Sequence, residues 1–290
     1  MTPSHDRPSP GETVSSAQGS WIRNPAWIEA AGSSGLVHGT MLRRAADSRG
    51  HRSLPKAIAE REDCFMDLFG AGSSDSTPEF GSSFPPTLVS ADQVHGERIV
   101  LIARPEDLLQ AGHWNIDGET LGELREFEAA DGLISTLGAI VLIIKSADCL
   151  PILFWDRKTR IVGACHCGWR GLLAGLAGKT AEAMVSMGAK RDTLEAWIGP
   201  GIRAPSYEVG EALVARFQTA FPSTGLSPDG RRLDLAAVAT DQLRAAGIAP
   251  SRLADSGQCT FADRVRYHSY RRDGPLAGRL LTVIGVMGRG

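Results

Sequence analysis

The chain has 290 residues, with 31 Lys and Arg against 33 Asp and Glu, 42% hydrophobic and 22% charged residues, and a net charge of −2. This is ordinary globular composition, long enough to bury a full core without disulfide staples. The absence of any Lys/Arg run or basic-aromatic interleaving sets nucleic acid aside and makes a small molecule the expected substrate.

The five cysteines are Cys64, Cys149, Cys165, Cys167 and Cys259. An odd count, behind an N-terminus with no apolar signal core, predicts reduced thiols in the cytoplasm. The longest apolar run, GAIVLIIK, is far too short to cross a bilayer, so no membrane partner is expected.

In chain order, residues 1–20 are rich in Pro, Ser and Gly and read as a disordered tail. SSGLVHGTMLRR reads as a strand entering a turn. SLPKAIAEREDCFMDLFG places Ile58, Cys64 or Phe65, and Leu68 at helical spacing. Residues 71–86, AGSSDSTPEFGSSFPP, read as a flexible loop. TLVSADQVHGERIVLI gives a strand, a turn at His95-Gly96 and a second strand. RPEDLLQAGHWNIDGETLGELREFEAA reads as irregular. DGLISTLGAIVLIIKSADC gives two strands, the second uniformly apolar, as suits a strand buried on both faces. PILFWDRKTRIVGACHC reads as a hairpin turning at DRKT.

GWRGLLAGLAGKTAEAMVSMGA then puts Leu172, Leu173, Leu176, Thr180, Met184 and Met187 on one stripe of a single helix. LEAWIGPGI is strand then turn, and YEVGEALVARFQTAFP is helix. Asp234 and Gly247 are the expected caps of a helix over LAAVATDQLRAAG. RLLTVIGVM is the final strand. Helices interleave with strands, and hairpins are present. The expected class is therefore α/β with an α+β tendency: a mixed β-sheet core with flanking helices, a single domain over 21–290.

The reactive side chains crowd into residues 145–171. Cys149 follows the buried strand, and His166 ends the next hairpin strand, so the hairpin brings 149 and 166 to one sheet edge. His95 also closes a strand. One thiolate and two imidazoles make a zinc ligand set, and three protein ligands leave the fourth position open, as catalytic sites require. Two other readings stand beside it. Cys149 can be a buried thiol next to hydrogen-bonded histidines, or a Cys149–His166 dyad can supply a nucleophile. Cys165 and Cys167 alternate with His166 and point to the opposite face, as packed thiols. The helix start at GWRG, with Arg170, suits an anion; otherwise Arg170 pairs with an acid and Trp169 is core. Asp148 either orients a ligand or caps a turn.

QVHG, ADGLIS, SADCLPILF, ACHCGWRG, IGPGI…YEVG and CTF…YHSYRRDG…GR occur here in the order seen in one family. The chain resembles the bacterial laccase-domain, or purine nucleoside phosphorylase, family, which includes the peptidoglycan editing factors. The match is dense from about 91 to 288. The resemblance implies a metal site of His95, Cys149 and His166 holding zinc, with copper as the lesser option. It implies phosphorolysis of adenosine, inosine or S-methyl-5′-thioadenosine, and deamination of adenosine. The partners are then a purine nucleoside and phosphate, on a monomer or small homo-oligomer. Cys149, His166, Arg170 and Asp148 are the candidate catalytic residues, and Arg170 and Arg43 the candidate substrate contacts.

Two departures stand out. RRAADSRG replaces the family's Gly-Gly-Val-Ser continuation after Arg43, and Cys167 replaces an Ala. Three rival functions are a cysteine hydrolase or amidase acting on a peptidoglycan precursor, a copper-dependent polyphenol oxidase and a non-catalytic, zinc-stabilised binding protein. A multicopper cluster needs many histidines, usually in His-x-His pairs. This chain has seven His and no such pair.

Overall fold

The computed structural model describes residues 21–28, 35–43, 54, 58, 64–65, 68–69, 85–116 and 122–287. The expected tail over 1–20 lies outside them, as does all but the end of the expected loop over 71–86.

Two mixed sheets pack face to face, with helices on their outer faces. The first sheet contains β1 (Trp21–Ile22), β2 (Leu36–Met41), β3 (Thr87–Ala91), β5 (Gly112–Asn115), β6 (Glu123–Phe127), β8 (Ile140–Ser146) and β13 (Leu280–Val286), in the order β1-β2-β13-β8-β3-β6-β5. The second contains β4 (Ile99–Ile102), β7 (Gly132–Ser135), β9 (Leu150–Asp156), β10 (Val162–Cys167), β11 (Leu194–Ile198) and β12 (Leu253–Asp255), in the order β12-β11-β9-β10-β7-β4. The helices after β10 are α1 (Trp169–Leu173), α2 (Leu176–Ser186), α3 (Glu211–Ala220), α4 (Leu235–Ala245) and α5 (Tyr270–Asp273).

The apolar run of β8 explains the layering. Side chains alternate along a strand. Leu142 and Ile144 meet Leu153, Trp155, Val162 and Ala164 of the second sheet between the two sheets. Val141 and Ile143 face the other way, against Leu54, Ile58, Phe65 and Leu68. Those four are helical and buried, in agreement with the helix expected there. On the far side, Ile152 and Phe154 of β9 pack with Leu176, Ala177 and Met184 of α2 and with Val238, Ala239 and Leu243 of α4. Each such Val, Leu, Ile, Phe or Met side chain contributes roughly 1.5–3 kcal/mol by leaving water.

Two sequence readings need correction. The stretch read as irregular contains β5 and β6, which pair antiparallel; their charged residues hide the pattern. The single helix expected after GWRG is two helices. Gly175 sits between them at φ 80°, a left-handed conformation that a helix interior does not allow. The expected caps hold at α4: the Asp234 side chain accepts from the Ala237 amide, and Gly247 follows the helix at φ 91°.

The fold delivers the reactive residues to one end of the sandwich. β3 and β8 run parallel, so their C-terminal ends lie at the same end. There the chain crosses twice between sheets, over residues 92–98 to β4 and over 147–149 to β9. His95 lies on the first crossing and Cys149 on the second. β10 returns antiparallel to β9, pairing His166 with Pro151, and so ends at the same place.

Candidate metal centre

The hairpin of β9 and β10 sets the first two candidate ligands. The register puts Cys167 opposite Leu150, leaving Cys149 one residue beyond the paired strand. His166 continues the inter-sheet face of Val162 and Ala164, while Cys165 and Cys167 lie in the cluster under the helices. The two thiols touch each other, Sγ to Sγ 3.5 Å. They are packed side chains on the face opposite His166.

His95 completes the group. One ligand atom from each of His95, Cys149 and His166 lies within 4.8 Å of the other two. The two imidazole rings stand at 74° with centroids 4.9 Å apart. Among the described residues this is the one cluster of three or more His, Cys, Asp or Glu able to share an ion. His95 is exposed, Cys149 half-buried and His166 buried, so the cluster opens to solvent on the His95 side.

Asp131, in the ADGLIS stretch, holds this geometry. Its carboxylate accepts from the amides of Val94 (3.2 Å), His95 (3.0 Å) and Gly96 (2.7 Å). The same carboxylate lies 2.8 Å from His166 Nδ1, which donates to it. That bond fixes the tautomer and leaves His166 Nε2 as the ligating nitrogen, the arrangement common to metal-binding histidines. Burial alone would push the Asp131 carboxyl up; the His166 ring and the Gly96 and His95 amides outweigh it and hold it below the usual range.

The backbone around the ligands is strained. His95 has φ 61°, Ala129 45° and Asp148 99°, three of the five described non-glycine residues with positive φ. Each such residue costs about 1–3 kcal/mol and is kept only where its surroundings impose it. Gly168 is required by close approach: a methyl group there would lie 2.9 Å from Cys149 Sγ and 3.2 Å from His95 Cδ2.

The electrostatics suit a cation. Burial would raise the Cys149 thiol, but the charge and hydrogen bonds of His166, with a hydrogen bond from His95, bring it down to about 6. Burial would lower His166, but the Cys149 thiolate and the Asp131 carboxylate raise it to about 9. In the metal-free protein the pair is thiolate and imidazolium. A bound cation takes the place of that imidazolium proton.

The remaining candidates are placed as follows. Asp148 is buried, and its carboxylate is occupied by the Thr260 hydroxyl (2.7 Å) and the Arg271 amide (2.6 Å). It therefore ties the C-terminal segment to the Cys149 crossing. Arg170 is exposed and stacks 4.2 Å from the Trp169 ring centroid. Its helix has only five residues, too short for a substantial macrodipole, so the anion reading falls on side chains. Arg43 contacts the 264–266 segment, with Nη1 3.3 Å from the Arg264 carbonyl, rather than the three ligating residues.

Sequence reasoning did not single out Asp131, Gly168 or Tyr207. Tyr207 is pushed up to about 12 by burial and by the Cys149 and Asp148 charges, against the lowering pull of Arg271. The motifs ADGLIS and ACHCGWRG contain the first two; nothing in the spacing marks the third.

A family model described as multi-copper polyphenol oxidoreductase laccase matches residues 79–287. A purine nucleoside phosphorylase of Deinococcus radiodurans is 35% identical over 198 residues, which is 67% of this chain and 68% of that protein. Adenosine deaminase RL5, from an unknown prokaryotic organism, is 33% identical over 167 residues, 54% of this chain and 62% of that protein. The crystal structure of YlmD from Geobacillus stearothermophilus shares the fold, with a TM-score of 0.73 at 24% identity over 94% of this chain and 98% of that one.

Proposed function

The chain belongs to the multi-copper polyphenol oxidoreductase laccase family, and from that premise we propose that it is a zinc-dependent purine nucleoside phosphorylase that also deaminates adenosine. The observation that carries the reading is the cluster of His95, Cys149 and His166, one open-sided set of three ligands with His166 locked by Asp131. The names of the Deinococcus relative and of the deaminase support the two reactions. The proposed substrates are adenosine, inosine and S-methyl-5′-thioadenosine.

Two imidazoles and a thiolate match the preference of zinc, and three protein ligands leave a position for water or substrate. When bound there, zinc supplies Lewis acidity and lowers the pKa of water toward neutrality. The residues around it divide the rest of the work. Asp131 keeps the His166 ring in one tautomer and pins the His95 turn. Arg170 receives the phosphate. Asp148, its carboxylate taken by Thr260 and Arg271, positions the Cys149 crossing and is not itself the reacting group. Copper is accommodated by the same ligand types, but the described residues offer one three-ligand cluster rather than several.

A second reading draws on the Cys149–His166 contact, which makes the metal-free thiol a thiolate. A cysteine hydrolase acting on a peptidoglycan precursor would use that nucleophile. Iodoacetamide separates the two. A zinc-held thiolate resists alkylation until a chelator is added, whereas a catalytic thiolate reacts at once.

The direct test is to incubate the purified protein with each nucleoside, with and without phosphate, and to separate the products. Phosphate-dependent release of the base, and inosine formed from adenosine, are expected. Cys149→Ala is expected to lose both the bound zinc and the turnover. A variant with normal zinc and normal rate overturns the assignment.

A further inference from the structure

Trp169 carries two guanidinium groups. Arg170 lies 4.2 Å from its ring centroid, and Arg216, reaching over from α3, lies 5.3 Å from it. Either contact alone is an ordinary surface cation–π pair. Together they hold two like charges no further apart than the two distances combined, and each charge makes the other less favourable. Other arginines of this chain relieve such a cost with a carboxylate: Arg157 has Glu195, Arg203 has Asp255 and Arg272 has Asp273. Arg170 and Arg216 are both exposed, and among the described residues neither holds a carboxylate.

Stacking uses the flat face of a guanidinium and leaves its edge of N–H donors available. Those edges suit a planar or tetrahedral oxyanion bound by paired, charge-assisted hydrogen bonds. The position is also telling. Trp169 directly follows Gly168, whose Cα backs onto Cys149 and His95. Arg271, whose amide holds Asp148 beside Cys149, lies 5.1 Å from the ring of Tyr207. Three residues along the chain from His166, Trp169 thus holds two guanidiniums, and α3 brings one of them from a separate part of the chain.

We propose that Arg216, together with Arg170 across the Trp169 ring, forms the binding subsite for inorganic phosphate, with Trp169 positioning both guanidiniums. The choice of phosphate over another oxyanion rests on the phosphorolysis reading above; the subsite itself rests on the two stacked arginines.

The test uses the full-length, zinc-supplemented protein. Inorganic phosphate is titrated and followed by phosphorus NMR, and inosine phosphorolysis is measured at varied phosphate. Arg216→Ala is expected to raise the phosphate Kd and the phosphate KM about tenfold, the loss of one charge-assisted contact, with the nucleoside KM close to wild type. Arg216→Lys keeps the charge but not the stacked fork, and is expected to restore only part of the loss. Arg244→Ala, an exposed change on α4, is expected to match wild type in both assays. An Arg216→Ala protein that binds and uses phosphate normally overturns the subsite and leaves the enzyme reading intact. Phosphate binding that depends on Arg216, without turnover of any nucleoside, supports the subsite and overturns phosphorolysis. A wild-type protein that binds no phosphate overturns the subsite.

Discussion

At Asp131 one carboxylate accepts from three consecutive amides and from a ligand imidazole. The oxygens are divided: Oδ1 serves His95 and His166, and Oδ2 serves Val94 and Gly96. Asparagine has the same shape but must turn an amino group toward one of those pairs of donors. Asp131→Asn is therefore expected to lower zinc affinity about 10–100-fold, the usual cost of losing a partner behind a ligand. Competition with a chromophoric chelator measures it, and an unchanged affinity would remove Asp131 from this role. A second residue-scale expectation concerns pH. A metal-bound state would carry no proton on Cys149 Sγ or His166 Nε2, while His166 Nδ1 keeps the proton it donates to Asp131. In the metal-free protein Cys149 titrates at about 6 and His166 at about 9, so between these values the pair holds one proton that the metal must displace. Affinity should then rise about tenfold per pH unit from 6 to 9, flatten above 9 and fall more steeply below 6. The same competition assay across pH reads this out, and a flat profile between 6 and 9 contradicts the thiolate–imidazolium pair. Residue type alone does not separate the histidines. His38 is buried as His166 is, yet burial and the Arg23 charge hold it down to about 3, and its Nε2 accepts from the Asn24 amide. It is a neutral core side chain, and only the neighbours brought by folding make that difference.

At the scale of elements, the β9–β10 hairpin was legible because its signals are local. The apolar run, the DRKT turn and the return of His166 beside Cys149 depend on sequence neighbours, and the register bears them out. β5 and β6, the break at Gly175 and the reach of Arg216 to Trp169 depend on contacts between distant segments, and no periodicity reports them. The far end of the same hairpin gives a test that separates folding from metal binding. Asp156 is fully buried. It accepts from the Lys158 amide (3.0 Å), the Thr159 hydroxyl (2.6 Å), the Lys190 amide (2.7 Å) and the Thr193 hydroxyl (2.6 Å). Burial would raise its carboxyl, but these four donors hold it below the usual range, so its contribution is present above the unfolded carboxylate pKa and is lost as pH falls through the folded one. Asp156→Ala leaves those donors without their acceptor and should cost roughly 2–4 kcal/mol. Because Asp156 closes the hairpin at the end away from Cys149 and His166, the variant should unfold at lower denaturant yet bind zinc with wild-type affinity when folded. Loss of zinc from the folded variant would mean that the two ends of the hairpin are coupled.

For the molecule as a whole, the three candidate ligands lie where two sheets are joined. His95 and Cys149 sit on the two crossings between them, and His166 ends a strand of the second sheet. The sandwich is packed by apolar side chains from both sheets, and no helix among the described residues is long and apolar enough to cross a membrane. The core is therefore expected to form without an ion. An ion bound there would add a tie between the crossings, in a region where the backbone is held at positive φ at His95 and Asp148. A ligand that binds only the folded state stabilises it by an amount set by its concentration over its Kd, about 2.7 kcal/mol at a hundredfold excess. For a chain of this length that corresponds to a Tm shift of about 5 °C. Chelation should lower Tm by about that amount without abolishing the cooperative transition, and Cys149→Ala should melt at the same temperature with and without chelator. Calorimetry on both proteins decides it. If chelation instead removes the transition altogether, the sandwich does not hold itself together and the ion is part of the core. If the wild type melts identically in chelator and in zinc, the three side chains do not share an ion.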